Sequence, residues 1–75
     1  MQSVERAFYA VEKTKSAGRM TVSMLSHAPG WDKASASRYL SFLSRIGWLE
    51  RINDRGHPVY VLGPKVLDLS PDFRL

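Results

Sequence analysis

Residues 21–47 read TVSMLSHAPGWDKASASRYLSFLSRIG, two runs of helical periodicity separated by a turn. In the first run Thr21 offers a capping oxygen, and Val22, Leu25 and Ala28 recur on one helical face until Pro29-Gly30 halts it. In the second run Asp32 is the cap, and Ala36, Tyr39 or Leu40, and Leu43 turn inward until Gly47 ends the helix after Ile46. The spacing predicts helices over about 22–28 and about 32–46. Only Ala28-Pro29-Gly30-Trp31 joins them, and so short a joint forces a steep angle, the helix-turn-helix arrangement.

Working outward, Val4, Phe8 and Val11, flanked by Ala7 and Ala10, follow the i, i+4, i+7 spacing of a helix over about 4–17. Ser3 is placed to cap it, Glu5 and the pair Lys13 and Lys15 suit its two dipole ends, and Gly18 can supply its stop. Ser3 and the amides near Val4 also fit a phosphate, although capping is the simpler role. Beyond Gly47 the pattern changes to β-branched and aromatic residues. Trp48–Ile52 and Val59–Leu62 flank the polar stretch Asn53-Asp54-Arg55-Gly56-His57, which predicts a β-hairpin with Gly56 at a positive φ. Pro58, lacking a donor, is tolerated at the start of an edge strand. Pro64 opens a last short helix, about 64–69, which Ser70-Pro71 should close. The fold class is therefore mainly α with a small β-hairpin. This is a winged helix-turn-helix, a three-helix bundle with a wing at about 48–62 and a short C-terminal helix, and residues 1–75 form a single domain.

A chain of 75 residues buries only about 60% of the surface it exposes when unfolded, so its stability margin is thin. At 44% hydrophobic and 24% charged residues it has the balance of a globular protein and not of a disordered tail. Without cysteine it has neither disulfides nor thiolate metal ligands. No apolar run reaches the ~20 residues of a membrane span and no signal peptide is evident, so an intracellular, cytoplasmic and nucleoid-associated chain with no membrane partner is expected. The net charge is +4 and it is unevenly placed. Lys33, Arg38, Arg45, Arg51, Arg55 and Lys65 face only Glu50 and Asp54 in their half of the chain, and the remainder balances to zero. A polyanion is the natural partner of such a patch, with solubilising surface charge as the plain alternative.

Several segments resemble the N-terminal DNA-binding domain of the isocitrate lyase regulator (IclR) type of bacterial transcription factor. They are Ser3-Val4-Glu5-Arg6-Ala7 opening the first helix, Met20-Thr21-Val22 opening the second, and Lys33 through Leu40 with Arg38-Tyr39-Leu40 inside the third. To these add Leu43, Ile46-Gly47-Trp48-Leu49 entering the wing and Tyr60-Val61-Leu62-Gly63-Pro64 leaving it. The similarity spans about residues 3–69. It implies a bacterial or phage origin, promoter binding as a dimer and a third helix in the major groove. Such regulators normally continue into a large effector-binding domain that these residues do not include, so no small-molecule effector is expected.

The third helix has an inner face, so its outer face follows by subtraction: Lys33, Ser35, Ser37, Arg38, Ser41, and then Ser44 and Arg45. Small hydroxyls let a helix sit deep in a groove about 12 Å wide while bonding to base edges or phosphates. Serine is otherwise a poor helix former, and surface tolerance is the competing account of the row. Lys33 and Arg38 flank it near the half of the helix that reads bases, whereas Asp32 is a cap and not a base reader. Arg51, Arg55 and His57 lie on or beside the wing, placed to meet phosphates or the minor groove, with idle turn residues as the plain alternative. Trp48 and most other aromatics read as core, and an exposed Phe8 or Tyr9 would instead suggest a homodimer contact through the first helix.

No nucleophile motif, phosphate loop or carboxylate pair is present, and His27 and His57 lack companions at metal-ligand spacing, so neither an enzyme nor a metal or cofactor site is expected. The expected function is sequence-preferring binding of double-stranded DNA by a small transcriptional regulator. The rival reading is a protein-interaction winged helix that binds a host regulator or polymerase through the apolar surface of the first helix.

Overall fold

The structure is a computed structural model and describes residues 2–66. Three helices, α1 (Gln2–Ala17), α2 (Val22–Ser26) and α3 (Lys33–Arg45), precede an antiparallel hairpin of β1 (Leu49–Asp54) and β2 (His57–Leu62). This order and pairing are those of a winged helix-turn-helix. Residues 64–66 are helical, and the rest of the expected last helix, to 69, lies outside the described residues.

The capping residues set the helix starts. Thr21 Oγ1 accepts the Met24 amide at 3.1 Å, and Asp32 Oδ1 accepts the Ser35 amide at 2.8 Å. Each satisfies a donor with no partner inside its own helix. The amide of Ser35, and then its hydroxyl, hold the Asp32 carboxyl below the usual carboxylate range, and the Arg6 charge acts in the same direction. Helix α1 begins at Gln2, so Ser3 falls inside its first turn and not before it. The second helix is shorter than expected, ending at Ser26, with the His27 amide closing on the Leu25 and Met24 carbonyls. The expected stops at Gly18 and Gly47 stand, both at positive φ.

The core sits where the three helices meet the hairpin, around Ala10, Val11, Leu25, Ala36, Leu40, Leu43, Leu49 and Tyr60. Each fully buried leucine contributes about 1.5–3 kcal/mol, which is a large share of what so small a chain can gather. Thr14 is buried as well, its hydroxyl donating to the Ala10 carbonyl at 2.7 Å. The inward face of α1 is Ala10, Val11 and Thr14, while Val4 and Phe8, expected on it, remain 51% and 45% exposed. The short side chains of Ala10, Val11 and Thr14 bring α1 close to its neighbours, and the larger ones are displaced to the rim. Tyr9 and Trp31 stack with ring centroids 5.9 Å apart, and Trp31 meets Tyr39 edge-on at 5.3 Å, so a second cluster links α1, the turn and α3.

The hairpin is longer and its turn tighter than the sequence suggested. Asp54 pairs with His57, so Asn53 and Asp54 belong to β1, His57 and Pro58 belong to β2, and only Arg55 and Gly56 turn the chain. Both have positive φ, 55° and 83°, as a two-residue hairpin turn requires. A further pairing escaped the sequence: Met20 and Tyr60 exchange two backbone hydrogen bonds of 2.8 Å, which adds one residue of strand to the outer edge of β2.

Gly63 is fixed by close approach and not by backbone torsion. A Cβ there would meet the Gly47 carbonyl oxygen, and the carbonyl carbon and oxygen of Leu49 at 2.9 Å. All of these are backbone atoms that cannot step aside. Gly63→Ala is therefore expected to destabilise the chain by about 1–3 kcal/mol, lowering Tm by at least about 4 °C. A variant that melts with the wild type would contradict this packing.

Candidate nucleic-acid interface

Each residue of α3 advances about 100° around its axis, so its buried stripe fixes where every other side chain stands. Ala36, Leu40 and Leu43 face the core. Ala34, Arg38, Ser41 and Arg45 emerge on the far side, all exposed. Ser37 lies between, and Lys33 and the half-buried Ser44 stand at one margin. Lys33, Ser37 and Ser41 thus form one row at i, i+4 spacing, with Arg38 and Arg45 along the opposite margin. Those two arginines are two turns apart, about 10 Å along the axis.

Six of the seven helix residues predicted for this face are therefore brought together. Ser35 is not among them. It lies on the Tyr39 side of the helix, half-buried, with its amide and hydroxyl turned to Asp32, so it serves the cap. The sequence reading passed over Ala34, whose methyl sits nearly opposite the buried stripe and leaves the middle of the face low. Counting from Ala36 at helical spacing would have found it.

The wing splits its own candidates. Paired residues in an antiparallel ladder share a face, so Arg51 lies on the side of Leu49, Tyr60 and Leu62, and His57 lies with Asp54, Ile52 and Val59 on the other. Leu49 is buried where β1 meets α3, so Arg51 shares the ladder face that α3 meets at the base of the wing, exposed two residues further out, and His57 is on the opposite face. Arg55 occupies the tip of the turn, exposed.

Among the described residues, Lys33, Arg38, Arg45, Arg51 and Arg55 are exposed and take part in no ion pair or side-chain hydrogen bond. The acid nearest the tip, Asp54, is instead engaged from outside this half of the chain by Arg19, at 2.8 Å. Arg19 was not a site candidate, yet it cancels a carboxylate that would repel phosphate. Phe42 adds an apolar element, 44% exposed in a shallow hollow with Arg38, Tyr39 and Arg45.

Among the described residues, no group of three or more His, Cys, Asp and Glu side chains could hold a metal. His27 has its Nδ1 2.7 Å from the Ser23 carbonyl, a local contact at the end of α2. No described helix is long and apolar enough to cross a membrane.

Residues 3–52, which run from α1 through the exposed face of α3 into β1, match the family model described as the IclR helix-turn-helix domain. Neither the curated proteins nor the solved structures contain a significant match to the chain. With most of its length aligned to that model, the chain belongs to the IclR helix-turn-helix domain family, a family of DNA-binding transcription regulators.

Proposed function

We propose that the chain binds double-stranded DNA with sequence preference, as a small bacterial or phage regulator of transcription with no catalytic role. The observation that carries this is the outer face of α3, where low serines and an alanine lie between Lys33 on one margin and Arg38 and Arg45 on the other. A low centre with cationic margins suits a helix lying in the major groove, its hydroxyls near base edges and its cations near the two phosphate walls. Arg51 and Arg55 extend the same charge onto the wing, placed for phosphate or minor-groove contact. His57, on the other wing face, would at most touch the backbone.

Neutralising about four phosphates per subunit gives a log–log salt slope near −3 to −4. Arg38→Ala is expected to lower affinity for a duplex selected from a random library by about tenfold or more, the loss of one charge-assisted contact. Binding that ignores salt, or an Arg38→Ala variant that binds as the wild type does, would count against the major-groove placement.

Arg55 gives a test in which stability and function should move in opposite directions. A non-glycine residue in the left-handed region costs about 1–2 kcal/mol, whereas Asn tolerates it and Asn-Gly is the favoured pair for this turn. Arg55→Asn should therefore raise Tm while weakening DNA binding and making the salt slope shallower by about 0.9. If the variant is no more stable, the strain is not real; if it binds equally well, the tip does not reach DNA.

A single module covers about 600–1,000 Å² of interface, and useful specificity commonly needs two copies, half-sites about one helical turn apart. The exposed Phe8 and Val4 line an apolar hollow of about 160 Å³ with Ala7, Phe42, Leu43, Ile46 and Trp48, a surface suited to a second copy. Tyr9, the other expected dimer contact, is instead stacked on Trp31. Sedimentation with a two-half-site duplex should show two chains bound, and Phe8→Ser should shift the complex toward one. Strict one-chain complexes with the wild type would remove the dimer from the proposal.

A further inference from the structure

Arg6 leaves α1 and crosses to the joint of the helix-turn-helix. Its Nη2 donates to the Gly30 carbonyl at 2.6 Å, and its guanidinium carbon lies 4.4 Å from the centre of the Trp31 ring and 5.7 Å from that of Tyr39. Trp31 immediately precedes the cap of α3, and Tyr39 lies on α3 itself. One planar cation therefore touches the turn, the residue before the recognition helix and the helix. Among the described residues, no other hydrogen bond runs from α1 to the turn or to α3. The buried residues of this part of the core include Ala10 and Ala36, whose methyls set how close α1 and α3 come but resist rotation poorly. Tyr9, Trp31 and Tyr39 are all half-buried, and stacked rings slide more readily than a hydrogen bond bends.

We propose that Arg6 is a positioning residue for duplex recognition, fixing the tilt of α3 against α1 by binding the Gly30 carbonyl and the faces of Trp31 and Tyr39. The proposal rests on the duplex-binding reading above. Arg6 does not itself touch DNA. It narrows the range of tilts that α3 samples, and the apparent affinity scales with the fraction of chains in the competent pose. Lysine cannot replace it, because an ammonium lacks the flat fork that stacks and donates at once.

The test compares wild type, Arg6→Gln, Arg6→Lys and Arg38→Ala on a duplex selected from a random library and on a scrambled duplex of the same length, across a range of salt. Arg6→Gln and Arg6→Lys should both lower affinity for the selected duplex by about tenfold, the loss of the guanidinium–carbonyl hydrogen bond together with the stacked ring contacts, while affinity for the scrambled duplex and the salt slope stay at wild-type values. Arg38→Ala should change the slope or the preferred bases. Lysine keeps the charge and the apolar stem and serves as the folded variant should glutamine unfold the chain. Residual dipolar couplings measured without DNA should show a changed or broadened angle between α1 and α3 in the Arg6 variants. Wild-type affinity in Arg6→Lys, a shallower slope in Arg6→Gln, or an unchanged interhelix angle would each overturn the proposal. If the wild type selects no duplex at all, the DNA-binding reading fails, and the interhelix angle still decides whether Arg6 sets the tilt.

Discussion

A helix of thirteen residues can give one stripe to a core, and in α3 that stripe is Ala36, Leu40 and Leu43. Everything else about the molecule depends on that burial. It holds α3 against α1, α2 and β1 and turns Ser37, Arg38, Ser41 and Arg45 outward as a direct consequence of helical geometry. No separate device is needed to expose these side chains. The core is small, with Leu25, Leu40, Leu43 and Leu49 its fully buried leucines, so its periphery must be held by other means: caps at Thr21 and Asp32, rings at Tyr9, Trp31 and Tyr39, and backbone pairing at Met20.

Features governed by neighbours in sequence were legible from residue types alone. The caps of α2 and α3, the buried stripe of α3 and the positive φ of Gly56 depend on groups within a few residues, and local chemistry decides them. Most misreadings arose where distant parts of the chain decide. Val4 and Phe8 have the right period for a buried face, but what buries a face is the element opposite, and α3 and the hairpin meet the Ala10 side. Asn53, Asp54 and His57 read as loop because they are polar, yet beyond Val59 and Tyr60, which are buried, the tip of the wing is largely solvent-facing and nothing there imposes alternation. The Met20 pairing is a single residue wide and has no period to detect. In the site, the outward residues of α3 followed from subtraction, and only Ser35 departed because its amide and hydroxyl serve the cap. Arg6 left no readable signal: its carbonyl partner is 24 residues away.

The charge distribution shows the same division between local and distant. In sequence, the basic half of the chain holds two acids, Glu50 and Asp54. In space, Arg19 from the other half reaches Asp54, so the base of the wing tip is closer to neutral than its own segment implies. Both partners are about half exposed, and a pair so placed adds little stability. Its effect is on potential. A carboxylate beside Arg55 would offset that arginine's attraction for an anion, and pairing it with Arg19 removes much of the offset while giving the wing a second tie to the loop after α1.

Two kinds of joint hold the proposed interface, and they differ in stiffness. Between α3 and the wing the links are backbone hydrogen bonds: the Trp48 amide to the Leu43 carbonyl at 2.9 Å, Gly63 to Trp48 at 2.8 Å and Lys65 to Gly47 at 3.0 Å. These short bonds around a turn with no room for a Cβ at Gly63 make α3 and the wing one body. The C-terminal end of α1 is likewise tied to β2 by the backbone pair at Met20 and Tyr60. At its N-terminal half, α1 meets α3 and the turn through side chains: the rings, and the Arg6 guanidinium on the Gly30 carbonyl. Side chains change rotamer far more readily than a paired backbone changes register. Any adjustment of the reading face to a duplex would therefore come from α1 rocking against the turn, with helix and wing keeping their mutual geometry. That makes the guanidinium at the joint, and not a residue of the proposed reading face, the group that limits this rocking.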